Sequence, residues 1–240
     1  MRVGLTILAM LLCIAPAPAQ AEDPTVRFRR GNENASRSRW EEAMLEYGQL
    51  AKEGVRAPAL YWNWAQAAAA SGKKGEAFWA LLRAQDLEAR DSTISRELER
   101  LRGELGLDPS EVSLGLWGDT RRLARRLRFD GLAIAAFALS LIATMGGKPR
   151  ASLSLLMFLI GLVLVCPFLV APFRDSRGVV VQKDAPLVDV PRDNAVALSN
   201  LREGEVVPIL GEEGAYVRIQ DASGARGFAL KSDVRRIGIE

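Results

Sequence analysis

The chain has 240 residues, 49% hydrophobic and 25% charged, a mixture that excludes a disordered chain and suits soluble and membrane parts in one protein. Its net charge of +3 selects no class of partner. With no histidine and two cysteines, Cys13 and Cys166, it excludes Ser-His-Asp and Cys-His catalysis and histidine-ligated metal sites.

At the N-terminus, Arg2 precedes an apolar stretch over 3–14 that is too short to span a bilayer. Small residues come next, ending at Ala19-Gln20-Ala21, and Glu22-Asp23-Pro24 opens a polar chain. This reads as a secretory signal peptide over 1–21, which exports the domain C-terminal to it. Cleavage leaves one cysteine, so no intrachain disulfide is expected.

Residues 22–118 read as a helical domain. Gly31, Ala43 and Tyr47 recur 34 residues later as Ala65, Ala77 and Leu81. A small residue, then Ala, then a large apolar residue at this period resembles the tetratricopeptide repeat, in which two antiparallel helices pack closely. Ser38 with Glu41 reads as a capping box. Pro58 marks a helix start and Gly72 a helix end. A stripe of Leu98, Leu101 and Leu105 predicts one further amphipathic helix over 92–105, which closes the open face of the second repeat. Asp108-Pro109 predicts another helix start.

The expected role of this domain is binding a protein partner in a groove lined by Tyr61, Trp62, Trp64, Trp79 and Arg83. Tyr61 and Trp64 also sit at consensus packing positions, where aromatic residues are core. Trp62 lies off that stripe and is the better surface candidate.

Residues 119–175 read as a membrane hairpin. Arg121, Arg122, Arg125, Arg126 and Arg128 form a basic helical stretch with Leu123 and Leu127 interleaved. Beside a membrane helix, they are expected to contact lipid headgroups rather than nucleic acid. Two uncharged runs come after them, over 131–147 and 151–173, of 17 and 23 residues. The first is slightly short for a hydrocarbon core of about 30 Å, and Leu127 and Phe129 are expected to extend it. Export by the signal peptide puts both soluble domains outside the cytoplasm and Lys148 and Arg150 inside. The positive-inside rule opposes this, with five arginines on the outer side. A signal sequence commits the chain before those arginines emerge, so export is preferred.

Residues 176–240 change to a period of two. Strands are predicted around 179–181, 206–210, 216–219, 227–230 and 233–237, with Pro186, Pro191 and Asn194 as turn signals. The order resembles a bacterial SH3-like barrel. A Leu-x-x-Gly loop ending at Gly204, the Tyr216–Ile219 strand and the Gly227-Phe228 pair carry that resemblance. Tyr216 and Phe228 are its candidate ligand surface, or core of a very small domain.

The expected fold is therefore multi-domain: all-α tetratricopeptide-like hairpins, a two-helix transmembrane hairpin and a small all-β SH3-like barrel. In this order, with the Leu60-Tyr61-Trp62-Asn63 start of the second repeat, the chain resembles the Bat aerotolerance family, BatE type. The resemblance implies a non-enzymatic scaffold of the bacterial inner membrane, with both domains periplasmic. It also implies partners among von Willebrand A-domain membrane proteins and, indirectly, a MoxR-type ATPase. An alternative is a module that binds peptidoglycan through the SH3-like domain. The residues show no nucleophile–base pair, phosphate loop or metal cluster, so neither catalysis nor a cofactor is expected.

Overall fold

The structure, a computed structural model, describes residues 22–109, 111, 115–144, 151–174 and 177–237. The expected signal peptide over 1–21 and the loop over 146–150 lie outside them. Eight helices and one seven-stranded antiparallel sheet are described, so the protein is mixed helical and β.

Five helices come first: α1 (Pro24–Ser36), α2 (Trp40–Lys52), α3 (Pro58–Ala70), α4 (Lys74–Leu87) and α5 (Ser92–Glu104). Their starts obey local chemistry. The Asp23 carboxylate accepts from the Thr25 N–H at 2.8 Å, and Asp91 accepts from Thr93 at 2.7 Å. Pro24 and Pro58 occupy the first helical positions, where a missing N–H costs nothing.

The ends of α1, α2, α3 and α5 share one left-handed turn, in which the next two N–H groups bond back to the last free carbonyls. Glycine takes the left-handed position in three of them: Gly54, Gly72 and Gly106. In the first it is Ser38, at φ 58°. The expected capping box is therefore not formed. Arg39 precedes α2 with no side-chain cap, because Ser38 is committed to ending α1 and an N-cap needs extended backbone.

The 34-residue spacing is a packing spacing. A Cβ at Gly31 would lie 2.6 Å from the Tyr47 ring, so only glycine admits that approach. Ala43, Tyr47, Ala65, Ala77 and Leu81 are all at most 1% exposed. The Tyr47 hydroxyl donates to Asn32 at 2.8 Å, and Asn63 donates to the same oxygen at 2.9 Å, tying α3 to α1. Ile94, Leu98 and Leu101 bury α5 against this array. Closure is completed from far along the chain: Val179, Val206 and Ile237 of the β-domain join the same core.

Among the described residues, no helix starts at Asp108. Glu111 instead turns to the β-domain, where its carbonyl accepts from the Val206 N–H at 2.9 Å and its carboxylate pairs with Arg202. The next helices are α6 (Gly115–Arg126), α7 (Phe129–Thr144) and α8 (Ala151–Arg174). Leu127 does not extend α7, because Arg128 breaks the chain at φ 57°. α7 and α8 pack closely through small residues. Ala133, Ala136, Ser140 and Ala143 line the buried face of α7, and Gly161 lies so near Phe137 that a Cβ would meet the ring at 2.7 Å. The Ser140 hydroxyl donates to the Ser154 carbonyl at 2.9 Å, and Ser154 returns the bond to Ser140 at 3.0 Å. Helix α8 is 24 residues long. Among the described residues, no helix is long and apolar enough to cross a membrane.

The sheet comprises β1 (Arg177–Val180), β2 (Ala185–Val188), β3 (Ala197–Leu201), β4 (Val206–Glu213), β5 (Tyr216–Gln220), β6 (Arg226–Leu230) and β7 (Val234–Arg236), in the order β3-β2-β6-β5-β4-β1-β7. One cluster takes buried side chains from all seven strands, so the sheet curls around a single core. Of the expected turn signals, Pro186 instead lies within β2, whereas Pro191 and Asn194 fall in the loop between β2 and β3. Pro186 lies in the part of β2 that pairs on one side only, where a residue lacking an N–H is tolerated.

Candidate functional site

The most elaborate side-chain arrangement lies where α3 and α4 face β7. Tyr61 and Trp64 stand three apart on α3, and Glu76, Trp79 and Arg83 recur at intervals of three and four on α4, so each set shares one helix face. Tyr61 and Trp64 stack with centroids 6.3 Å apart and planes 4° apart. Trp79 meets both edge-on, at 5.9 Å from Tyr61 and 5.1 Å from Trp64. The Trp64 indole N–H donates to Glu76 Oε1 at 2.9 Å, which orients the carboxylate.

Arg235 of β7 fills this cleft. Its guanidinium carbon lies 5.1 Å from the Trp64 centroid and 4.8 Å from that of Trp79. Its Nη2 lies 3.0 Å from Glu76 Oε1. The Trp79 indole N–H donates to the Arg236 carbonyl at 2.7 Å, and Arg83 donates to the Ile237 carbonyl at 2.6 Å. Arg83 also sits 5.2 Å over the Tyr61 ring.

Four of the five groove residues read from the sequence therefore converge: Tyr61, Trp64, Trp79 and Arg83. All four are buried, and the chain itself covers them. Trp62 is half-buried and packs against the helical core elsewhere, because the residue after Tyr61 turns about 100° around the helix. Beyond Arg235 the groove continues as an open cavity of about 980 Å³. Met44, Leu45 and Gly48 are among its lining residues, and Leu45 is 74% exposed. Arg30 lies on its rim, paired with Glu46 at 2.6 Å, and this bond holds the Glu46 carboxyl below the usual carboxylate range.

A second contact was invisible to sequence reasoning. The Gly75 N–H, in the first turn of α4, donates to Glu203 at 2.6 Å. Next to it, Gly204 at φ 86° approaches Leu105 and Leu107 so closely that a Cβ would lie 2.7 Å from Leu105. The sole sequence hint is a glycine inside a helix, which is unfavourable by about 1 kcal/mol and needs a packing reason.

Tyr216 and Phe228 lie on the same face of the sheet, both half-exposed, with Arg218 directly opposite Phe228. The Tyr216 hydroxyl donates to Asp193 at 3.1 Å, and burial together with this carboxylate raises its pKa. The basic residues divide. Arg125 pairs with Asp86 of α4 at 2.9 Å, and Arg126 reaches Ser95 of α5 at 3.5 Å, so both turn toward the helical domain. Arg128 is exposed, and burial lowers the pKa of Arg122 against the pull of Asp119 and Asp86. The Arg121 side chain lies outside the described residues.

Among the described residues, no group of His, Cys, Asp or Glu side chains is arranged to hold a metal ion. No family model and no curated protein matches the chain.

Proposed function

We propose that the chain is a non-enzymatic scaffold of the bacterial inner membrane, anchored by α7 and α8, that binds a protein partner along the groove of a tetratricopeptide-like array. The observation that carries this reading is the groove itself: an aromatic cleft continued by an open cavity that the exposed Leu45 borders. The anchor is supported by the 23 uncharged residues over 151–173 and by outward-facing Ile134, Leu141, Ile142, Leu155 and Val163. Interhelical packing through small residues suits a lipid environment. Direct contact between the helical and β-domains supports an even number of crossings between them, and the periplasmic side is taken from the export signal read over 1–21. The resemblance to BatE-type proteins makes von Willebrand A-domain membrane proteins the first partners to test, and a MoxR-type ATPase an indirect one.

The test is a photo-crosslinking residue at Leu45 of the full chain in its native host. A discrete adduct with a membrane protein is expected there, and not at Glu99, which is exposed outside the groove. Equal products at both sites, or release of the chain from membranes by carbonate, overturn the reading.

The shared face of Tyr216, Arg218 and Phe228 favours a second reading, an SH3-like domain that holds peptidoglycan. Co-sedimentation of the detergent-solubilised chain with cell-wall sacculi, lost in Tyr216→Ala and Phe228→Ala, would support it.

A further inference from the structure

The cleft around Arg235 is chemically more selective than an apolar groove. We propose that Trp64, Trp79 and Glu76 form a guanidinium-recognition site that Arg235 fills in cis, and that a partner takes the same site by presenting an arginine on an extended segment. Such a partner exists only if the scaffold reading holds, and the assignment of trans binding rests on it.

Each wall of the site fits a guanidinium. Two indole faces at 75° hold the cation at 4.8 and 5.1 Å, inside the about 6 Å range of cation–π attraction. A planar, weakly hydrated guanidinium stacks on such faces better than a compact ammonium does. The Glu76 side chain is only 13% exposed and is held by the Trp64 indole N–H, so the helical array positions the carboxylate itself. A carboxylate covered to this degree without a cation is costly, which favours an occupied site.

β7 also shows the form the ligand takes. Successive side chains of a strand alternate. Arg235 and Ile237 face the helical array, while Val234 enters the β-core and Arg236 pairs with Glu212. The carbonyls of Arg236 and Ile237 accept from Trp79 and Arg83. What the array reads is thus an extended Arg-x-Ile, with one arginine, one apolar side chain and two carbonyls. β7 is three residues long and pairs only with β1, so it is a short end strand that can leave without dismantling the sheet. A tethered ligand acts at an effective concentration in the millimolar range. A competing segment therefore needs contacts that β7 lacks, and the exposed Leu45 in the adjoining cavity provides one.

The test uses the full chain in detergent and, as probe, an acetylated and amidated hexapeptide of residues 232–237, titrated by tryptophan fluorescence. Arg235→Ala is expected to bind the probe at least tenfold more tightly than the native chain, since its guanidinium pocket is vacant and β7 keeps only its backbone and Ile237 contacts there. A probe with lysine at the place of Arg235 should bind at least tenfold more weakly, and Trp79→Leu in the Arg235→Ala background should abolish binding. Should Arg235→Ala not fold, Glu76→Gln keeps the shape of the site without its charge. In that variant hydrogen exchange over 234–237 should rise at least tenfold while β5 and β6 stay protected. The site is overturned if folded Arg235→Ala binds no more tightly than the native chain, if arginine and lysine probes bind alike, or if Glu76→Gln leaves exchange at β7 unchanged. Arginine-selective binding with no adduct from Leu45 keeps the site and overturns only the scaffold reading. A Leu45 adduct unchanged by Arg235→Ala, with no probe binding, does the reverse.

Discussion

The Gly75 N–H donates to the Glu203 carboxylate at 2.6 Å across 128 residues of chain, and this bond pins the N-terminus of α4 to the β-domain. A carboxylate there also meets the positive end of the helix dipole. A Cβ on residue 75 would lie 2.7 Å from Glu203 Cγ, 2.8 Å from the Val180 carbonyl oxygen and 2.9 Å from Val181 Cα, and the last two are backbone that cannot yield. In the helix alone, alanine is better than glycine by about 1 kcal/mol. Gly75→Ala should therefore part the domains without unfolding the helices. Circular dichroism should stay native while trypsin cuts faster after Arg235 and Arg236. Unchanged cleavage rates would show that the contact is dispensable.

Ser38 holds a left-handed conformation, φ 58°, where the matching turns have glycine. Such a conformation costs an L-residue about 1–2 kcal/mol, and glycine loses about 0.4–1 kcal/mol through its freer unfolded state. Ser38→Gly is expected to stabilise the helical domain by roughly 0.5–1 kcal/mol, read as a higher thermal midpoint; a lower midpoint would contradict it.

Ala77 is 0% exposed where helices meet. Ala77→Glu puts a charge there with no partner, at a cost of several kcal/mol. The variant should lose its cooperative helical melt, whereas Ala77→Gly should retain it with a loss of about 1 kcal/mol. A native melt for Ala77→Glu would refute this packing.

Burial pushes the Tyr47 hydroxyl up to about 12 from an ordinary 10. The folded pKa is the higher, so this contribution is complete below pH 10 and is lost as pH rises through 12. Thermal midpoints should hold to about pH 10 and then fall. Tyr47→Phe should be less stable at neutral pH, for want of the Asn32 bond, and should show a smaller alkaline decline. An equal decline in both proteins would assign the effect to another group.

Ser140 and Ser154 hydroxyls lie 3.1 Å apart between α7 and α8. With both changed to cysteine and Cys166→Ser, mild oxidation should trap a disulfide in high yield. Adding Gly161→Val, whose side chain meets the Phe137 ring, should lower that yield several-fold. Equal yields would place the helix contact elsewhere.

Sequence alone determined the features that depend on neighbours within a few positions. Pro58 starts a helix, Gly72 ends one, and the Gly31–Tyr47 spacing sets the closeness of α1 and α2, because caps, turns and i, i+4 faces are local chemistry. The strands at Val206, Tyr216 and Gly227 were legible for the same reason, through alternation. Even locally, Ser38 went to the end of α1 rather than the start of α2, a choice its side chain does not announce. Tertiary structure decided what covers the groove. Trp79 meets Arg236 across 157 residues and Arg83 meets Ile237 across 154. On a strand, Arg235 reads as a solvent-facing cation, and Trp79 on a helix reads as core or as a surface awaiting a partner. Neither pattern carries the other's position; only the packing of Val179, Val206 and Ile237 into the helical core brings the cation onto the two indoles.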